Sequence, residues 1–203
     1  WNWASDTLPT LDWSASRHTP GDQEVLILPT GPADPWETCT LFFLNCINNA
    51  RHRVWIASPY FVPDFQVMNA LQLAALRGVD VRILIPETSD NALVKLAAYS
   101  HLVQACQAGI GIYRYQRGFM HQKVVLVDDR YAAVGTANLD NRSMRLNFEI
   151  MAVNTDPDFV RDVHRMLEGD LAHCQLMTER DYQDRSILFR LACRAARLAA
   201  PLL

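Results

Sequence analysis

The sequence predicts an α/β fold: a mixed, mostly parallel sheet flanked by helices on both faces. Three observations predict it. Short runs rich in Val, Ile and Leu alternate along the chain with segments of helical periodicity. Several of those runs are apolar at consecutive positions, the pattern of strands covered on both sides by helices. The 203 residues, 50% of them hydrophobic, suffice for one substantial core. In chain order, EVLILP reads as a strand, PWETCTLFFLNCINNAR as a helix, RVWIAS as a strand and DFQVMNALQLAALR as a second helix. VDVRILIP, NALVKLAAYSHLVQAC and IGIYRY continue as strand, helix and strand. KVVLVD turns tightly through Asp129 and Arg130 into YAAVG, so antiparallel pairing is expected there. FEIMAVN is a further strand and DPDFVRDVHRMLEGDLAHC an amphipathic helix. Residues 1–21 carry Pro9, Pro20 and little periodicity and read as a linker or lid. A folded unit is expected over 22–183 and a basic amphipathic helix over 184–203.

Composition narrows the function. A net charge of −3 gives no global electrostatic reason to bind nucleic acid, and none is expected as a partner. Five cysteines, odd in number and without a C-x-x-C pair, suggest neither a disulfide framework nor a zinc site, and a reducing compartment is the default. No apolar run approaches the roughly 20 residues of a membrane-spanning helix. Any membrane anchor is expected outside this chain.

The chemistry is concentrated in HQKVVLVDDRYAAVGTANLDNRSMRLNFE, which spaces His121, Lys123, Asp128, Gly135 and Asn138 as H-x-K-x4-D-x6-G-x2-N. On a strand beginning at Gln122, His121 and Lys123 would project from one side. A neutral imidazole is a nucleophile and an ammonium is a point charge for phosphoryl oxygens, so the two are suited to meet one phosphate. The Asn138 amide can donate to a non-bridging oxygen where charge builds up. Gly135 would let the backbone come close. Glu149 is placed to accept the other ring N–H of His121 and fix its tautomer. Asp128 ends the first strand, where a carboxylate suits turn amides, and its role is a supporting one. No metal or cofactor is called for.

Other residues carry two readings each. Tyr60, Phe61 and Val62, in SPYFVPD, could receive a lipid tail or simply pack on the neighbouring helix. Arg142 and Ser143 could hold a phosphate or a glycerol headgroup, or belong to an N-cap and ion-pair network opening a short helix. Arg190, Arg194 and Arg197 lie at helical spacing beside Leu188, Leu191 and Leu198. That helix could lie on anionic lipid, or dock on the core with a solvated basic face. His101 and Arg114 face no recognisable partner and are expected at the surface.

These residues resemble the H-x-K-x4-D motif of the phospholipase D superfamily, and GTANLDNRSMRLNFE resembles bacterial cardiolipin synthases in particular. VWIASPYFVPD, LAALRGVDVRILIPETSD and AGIGIYRYQRGFMHQKVVLVDD are similar to the second catalytic half of those enzymes, so the resemblance runs from about Val25 to the C-terminus. WNWASDT is similar to the segment that closes their first half, which implies a chain starting in mid-protein. The resemblance implies a phosphatidyltransferase that forms cardiolipin from two phosphatidylglycerol molecules through a phosphohistidine, at the cytoplasmic face of the bacterial inner membrane. It also implies a site shared by two such motifs, one histidine attacking phosphorus and the other protonating the leaving alkoxide; His121 could be either. Only one motif is present: His18, His52, His101, His164 and His173 are followed two residues later by Pro20, Val54, Val103, Met166 and Gln175. A second half, from the same parent chain or a homodimer, is therefore expected as partner, and this chain alone is expected to be inactive. The alternatives are a hydrolytic phospholipase D, another phosphodiesterase or a nuclease of the superfamily, and a non-catalytic remnant or scaffold.

Overall fold

The computed structural model describes residues 23–202 together with residues 10, 12, 14 and 21. The linker or lid expected over 1–21 lies outside the described residues, those isolated positions apart.

The periodic segments form the elements they predict: β1 (Val25–Thr30), α1 (Thr38–Asn49), β2 (Arg53–Ala57), α2 (Phe65–Leu76), β4 (Asp80–Pro86), α3 (Ala92–Gln107), β5 (Gly111–Tyr115), β6 (Val124–Val127), β7 (Tyr131–Gly135), β9 (Glu149–Asn154) and α5 (Pro157–Leu171). Side chains of Asp64, Asn91 and Asp156 accept backbone N–H groups at the starts of α2, α3 and α5, which sets where those helices begin. The basic amphipathic helix expected over 184–203 forms as α7 (Ile187–Leu198), and short elements without a period of their own complete the chain: β3 (Phe61–Val62), β8 (Leu139–Asp140), α4 (Asn141–Arg145), β10 (Cys174–Leu176), α6 (Arg180–Gln183) and a 3-10 turn at Ala200–Leu202.

An eight-stranded sheet runs in the order β1-β9-β7-β6-β2-β4-β5-β10, and β3 pairs with β8 apart from it. Helices cover both faces. Val54, Ile56, Val125 and Val127 point into a large cluster with α1, α2 and α3, while Trp55, Ala57, Val124 and Leu126 meet Val160, Val163 and Leu167 of α5. Alternate residues of β2 and β6 thus enter opposite cores, which is why these strands are apolar throughout.

The sheet is mixed, as expected, but it is not mostly parallel. Only β2–β4 and β4–β5 are parallel; the other five pairings of the large sheet are antiparallel. Parallel neighbours need a crossover, and here α2 and α3 supply the two that occur. The motif strands are linked by short connections instead, and β1 crosses to the far edge to pair with β9.

Two residues expected at the surface are buried. Arg114 lies inside an ion-pair cluster, 2.9 Å from Asp181 Oδ1 and 3.3 Å from Glu87 Oε2, and donates to the Tyr99 hydroxyl. Its partners come from distant segments, so no local pattern announces them. His101 is 5% exposed on α3, with neither ring nitrogen hydrogen-bonded. Helix α7 docks on α3: Cys193 and Ala196 are buried, and Phe189 meets Tyr99 edge-on at 5.3 Å. Among the described residues no helix is long and apolar enough to cross a membrane.

Candidate active site

Three elements deliver the motif. His121 and Lys123 lie in the segment just before β6, which starts two residues later than expected. They meet nonetheless, through side-chain reach rather than a shared strand face. Lys123 Nζ lies 3.1 Å from Nδ1 and 3.4 Å from Nε2 of His121 and donates to the His121 carbonyl oxygen at 2.8 Å. An ammonium has donors only, so the ring nitrogen it addresses is one with a lone pair. The exposed ring of His121 also stacks on Phe119 at 5.4 Å, which the sequence reading missed; the alternation F-x-H was the available signal. Burial holds the Lys123 ammonium below the usual lysine range, while the charges of Glu149, Asp140 and Asp90 oppose that shift.

Asn138 follows β7, where Gly135 is required: a Cβ there would overlap the Ile150 carbonyl oxygen and lie 2.8 Å from Met151 Cα. The Asn138 N–H donates to Ser143 Oγ at 2.9 Å, whereas its buried Oδ1 has no hydrogen-bond partner. Its side-chain amide makes no bond among the described residues and is available to a ligand.

Glu149 does not hold His121. Its Oε1 accepts from the Ser143 hydroxyl at 2.7 Å and from Asn147 Nδ2 at 3.2 Å. Glu149 begins β9, two strands away from β6 in the sheet, and the short helix α4 lies nearer to it in the chain. Ser143 is therefore engaged on both sides by protein, and its N–H is capped by Asp140 Oδ1 at 2.8 Å. The N-cap network is the arrangement observed. Burial raises the Asp140 carboxyl, with the neighbouring Glu149 charge adding to the shift. Arg145 completes the network by pairing with Asp64 at 2.6 Å and Glu37 at 3.0 Å.

Asp128 sits at the opposite end of β6 from His121, so its place in the site is structural. It occupies the left-handed region, φ 52°, which aspartate tolerates better than most residues. Its carboxylate accepts the N–H groups of Arg51, His52 and Arg53 at 2.8–3.3 Å. Burial alone would raise this carboxyl; the three amides outweigh it and hold it below the ordinary aspartate value.

Phe61 and Val62 are buried in β3, so packing is their role and no lipid tail reaches them. Tyr60 is half-buried, and its hydroxyl donates to the Asp90 carboxylate at 2.9 and 3.0 Å. Burial and that bond push its phenol up to about 12. Arg142 is exposed and its guanidinium makes no hydrogen bond among the described residues; its charge is felt at both Tyr60 and Asp140. His121 and Lys123 thus form one pair, Asn138, Ser143, Asp140 and Glu149 a hydrogen-bonded set, and the charges of Glu149 and Asp140 felt at Lys123 connect the two.

This sheet, with a histidine and lysine before a central strand, has the phospholipase D fold. It superposes on the crystal structure of Nuc from Salmonella typhimurium, a phospholipase D family member, with a TM-score of 0.64 at 21% identity over 77% of this chain and 99% of that one. It superposes on phosphatidylserine synthase of Haemophilus influenzae with a TM-score of 0.72 at 16% identity over 94% of this chain and 50% of that one. The chain belongs to the family described as cardiolipin synthase, PLD-like domain, whose profile matches residues 43–171. It is 51% identical over 205 residues to a cardiolipin synthase A of Pseudomonas putida and 50% identical over 203 residues to one of Pseudomonas aeruginosa. Both matches take in 100% of this chain, which spans 42% and 41% of the respective relatives' length.

Proposed function

We propose that this chain is one catalytic half of a phosphatidyltransferase that makes cardiolipin from two molecules of phosphatidylglycerol and acts with a second H-x-K-x4-D half at the cytoplasmic face of a bacterial inner membrane. Residues 22–183 form the half-domain and 184–203 its terminal helix. A ring nitrogen of His121 attacks phosphorus, a phosphorus–nitrogen bond forms, and the bond to the glycerol headgroup breaks. The departing alkoxide takes its proton from the second half's histidine, which then accepts the proton of the incoming phosphatidylglycerol hydroxyl as that oxygen displaces His121. His121 could equally serve as the acid while the second half's histidine attacks.

Lys123, the Asn138 amide and Arg142 hold the phosphoryl oxygens, and Tyr60 lines the mouth. Glu149 acts here through Ser143 and through its field at Lys123, in place of the ring-orienting role its position in the sequence suggests. Ser143 positions Asn138, and Asp128 anchors the far end of β6. The observation that carries this reading is the 3.1 Å approach of Lys123 Nζ to an exposed His121 ring. The need for a second half is supported by the exposed apolar residues Val25, Ile27, Val134 and Ile150 on the sheet face that carries α5.

The test is to mix the assembled protein with radiolabelled phosphatidylglycerol, quench, and look by mass spectrometry for phosphatidyl transferred to the peptide containing His121. Labelled cardiolipin with released glycerol is the expected product. Cleavage of single-stranded DNA in its place, weakening steeply with salt, would assign the site to a nuclease.

A further inference from the structure

A second cationic cavity lies away from the motif, between α2, α3, α4 and the C-terminal helix. It encloses about 410 Å³ and is lined by Phe65, His101, Gln104, Arg194, Arg197 and Leu198, among others, and by none of His121, Lys123, Asn138 or Glu149. We propose that this cavity binds the phosphate of an anionic phospholipid while the outer face of α7 lies in the headgroup region of the bilayer. The inference rests on the reading of the chain as a lipid-acting enzyme, because that activity brings this surface to a membrane.

Charge points to the phosphate. Helix α7 carries Arg190, Arg194 and Arg197 and no acidic residue, and none of the three forms an ion pair among the described residues. Asp64, the carboxylate in the wall, is already neutralised by Arg145 at 2.6 Å. The wall also holds His101, 5% exposed with both ring nitrogens unpartnered, a state that costs free energy unless something polar compensates it. The Gln104 side-chain amide also lines the wall. Two unpaired guanidinium groups in one cavity are suited to a phosphate, which takes forked donors.

Shape points to the bilayer. At 3.6 residues per turn, the buried Cys193 and Ala196 and the half-buried Phe189 fall on one side of α7, and the opposite side is apolar rather than polar. Ile187, Leu191 and Leu198 lie along it with Leu188 and Ala195 beside them; Leu188 is 79% and Leu198 84% exposed. The arginines run down one flank, and Phe65, also exposed, sits at the cavity mouth beneath the Arg197 guanidinium. A docked helix that turns apolar residues outward with basic residues alongside is built for an interface between water and anionic lipid. A twofold contact through α7 would set these arginines against each other, which disfavours a second copy as the occupant.

The test is flotation of this chain with phosphatidylcholine vesicles, with and without a third of phosphatidylglycerol. Binding is expected only to the anionic vesicles. Arg194→Gln with Arg197→Gln should weaken it about thirtyfold, taking roughly a fivefold contribution per basic residue near an anionic surface. Leu188→Ser with Leu191→Ser, at exposed positions that should leave the fold intact, should weaken it further. Turnover of a soluble short-chain phosphatidylglycerol by the assembled enzyme should be unchanged in both variants. Equal flotation with neutral vesicles, unaltered binding in both variants, or self-association abolished by the leucine variant would overturn the inference. A parent enzyme that fails to turn over the soluble substrate would instead overturn the phosphatidyltransferase reading, whatever the vesicles show.

Discussion

The Ser143 hydroxyl donates to Glu149 Oε1 at 2.7 Å while accepting the Asn138 N–H at 2.9 Å. One buried side chain thus ties the carboxylate at the start of β9 to the residue whose amide is proposed to hold a phosphoryl oxygen. Ser143→Ala would leave the buried carboxylate oxygen and the Asn138 N–H short of a partner. The expected result is a loss of about 2 kcal/mol in urea unfolding and a fall in kcat of the assembled enzyme with KM little changed. Parent-like stability would show that the hydroxyl bridge is dispensable.

His121 is exposed, stacked on Phe119 and approached by Lys123, so His121→Ala should change stability by no more than about 0.5 kcal/mol. Transfer from labelled phosphatidylglycerol should fall on the order of 10⁴-fold or more, because the variant lacks the ring proposed to attack phosphorus or protonate the leaving group. Retained activity would remove the site assignment.

The ammonium of Lys123 is held below the ordinary lysine value by burial and is supported by the charge of Glu149. Transfer requires the charged form, so activity is present below the folded-state pKa and lost as pH rises through it. The alkaline limb of the kcat profile should therefore fall below 10.5. Glu149→Gln removes a charge that raises that pKa, so the limb should move to still lower pH; an unmoved limb would mean that another group titrates there.

Asp128 binds three backbone N–H groups from the start of β2. Asp128→Ala strips all three and also places alanine at positive φ, so a loss of about 3 kcal/mol is expected in chemical denaturation. Asp128→Asn, which tolerates that backbone, should lose less. Since the native carboxyl titrates below its unfolded value, its contribution is present above that unfolded value and disappears as pH falls through the native one. The difference between parent and Asp128→Asn should accordingly shrink in acid.

Burial, with the nearby Arg197 charge, lowers the His101 imidazole from 6.5 to about 4. The unfolded chain therefore binds a proton that the native one does not between those values. Stability from the neutral ring is full above 6.5 and should be lost as pH falls toward 4, by about 3 kcal/mol in all. His101→Leu should flatten thermal stability across that window, and an unchanged slope would show that other groups carry it.

What the sequence by itself determined is the local order of elements and which residues are candidates for the chemistry. Periodicity marked β1, β2, β4, β5 and the long helices, because alternation and helical spacing are properties of neighbouring residues. The H-x-K-x4-D spacing marked His121, Lys123 and Asn138, and the crowding at Gly135 followed from the same run. What only the tertiary structure decided is which segments become neighbours. The antiparallel majority in the sheet, the burial of Arg114 among Glu87, Asp181 and Tyr99, and the enclosure of His101 beside α7 all join residues far apart in the chain, while the bond that Ser143 donates to Glu149, six residues on, replaces the one expected with His121. Such contacts depend on how helices and strands of fixed internal pattern pack against one another, and nothing in the pattern of either partner alone specifies the other.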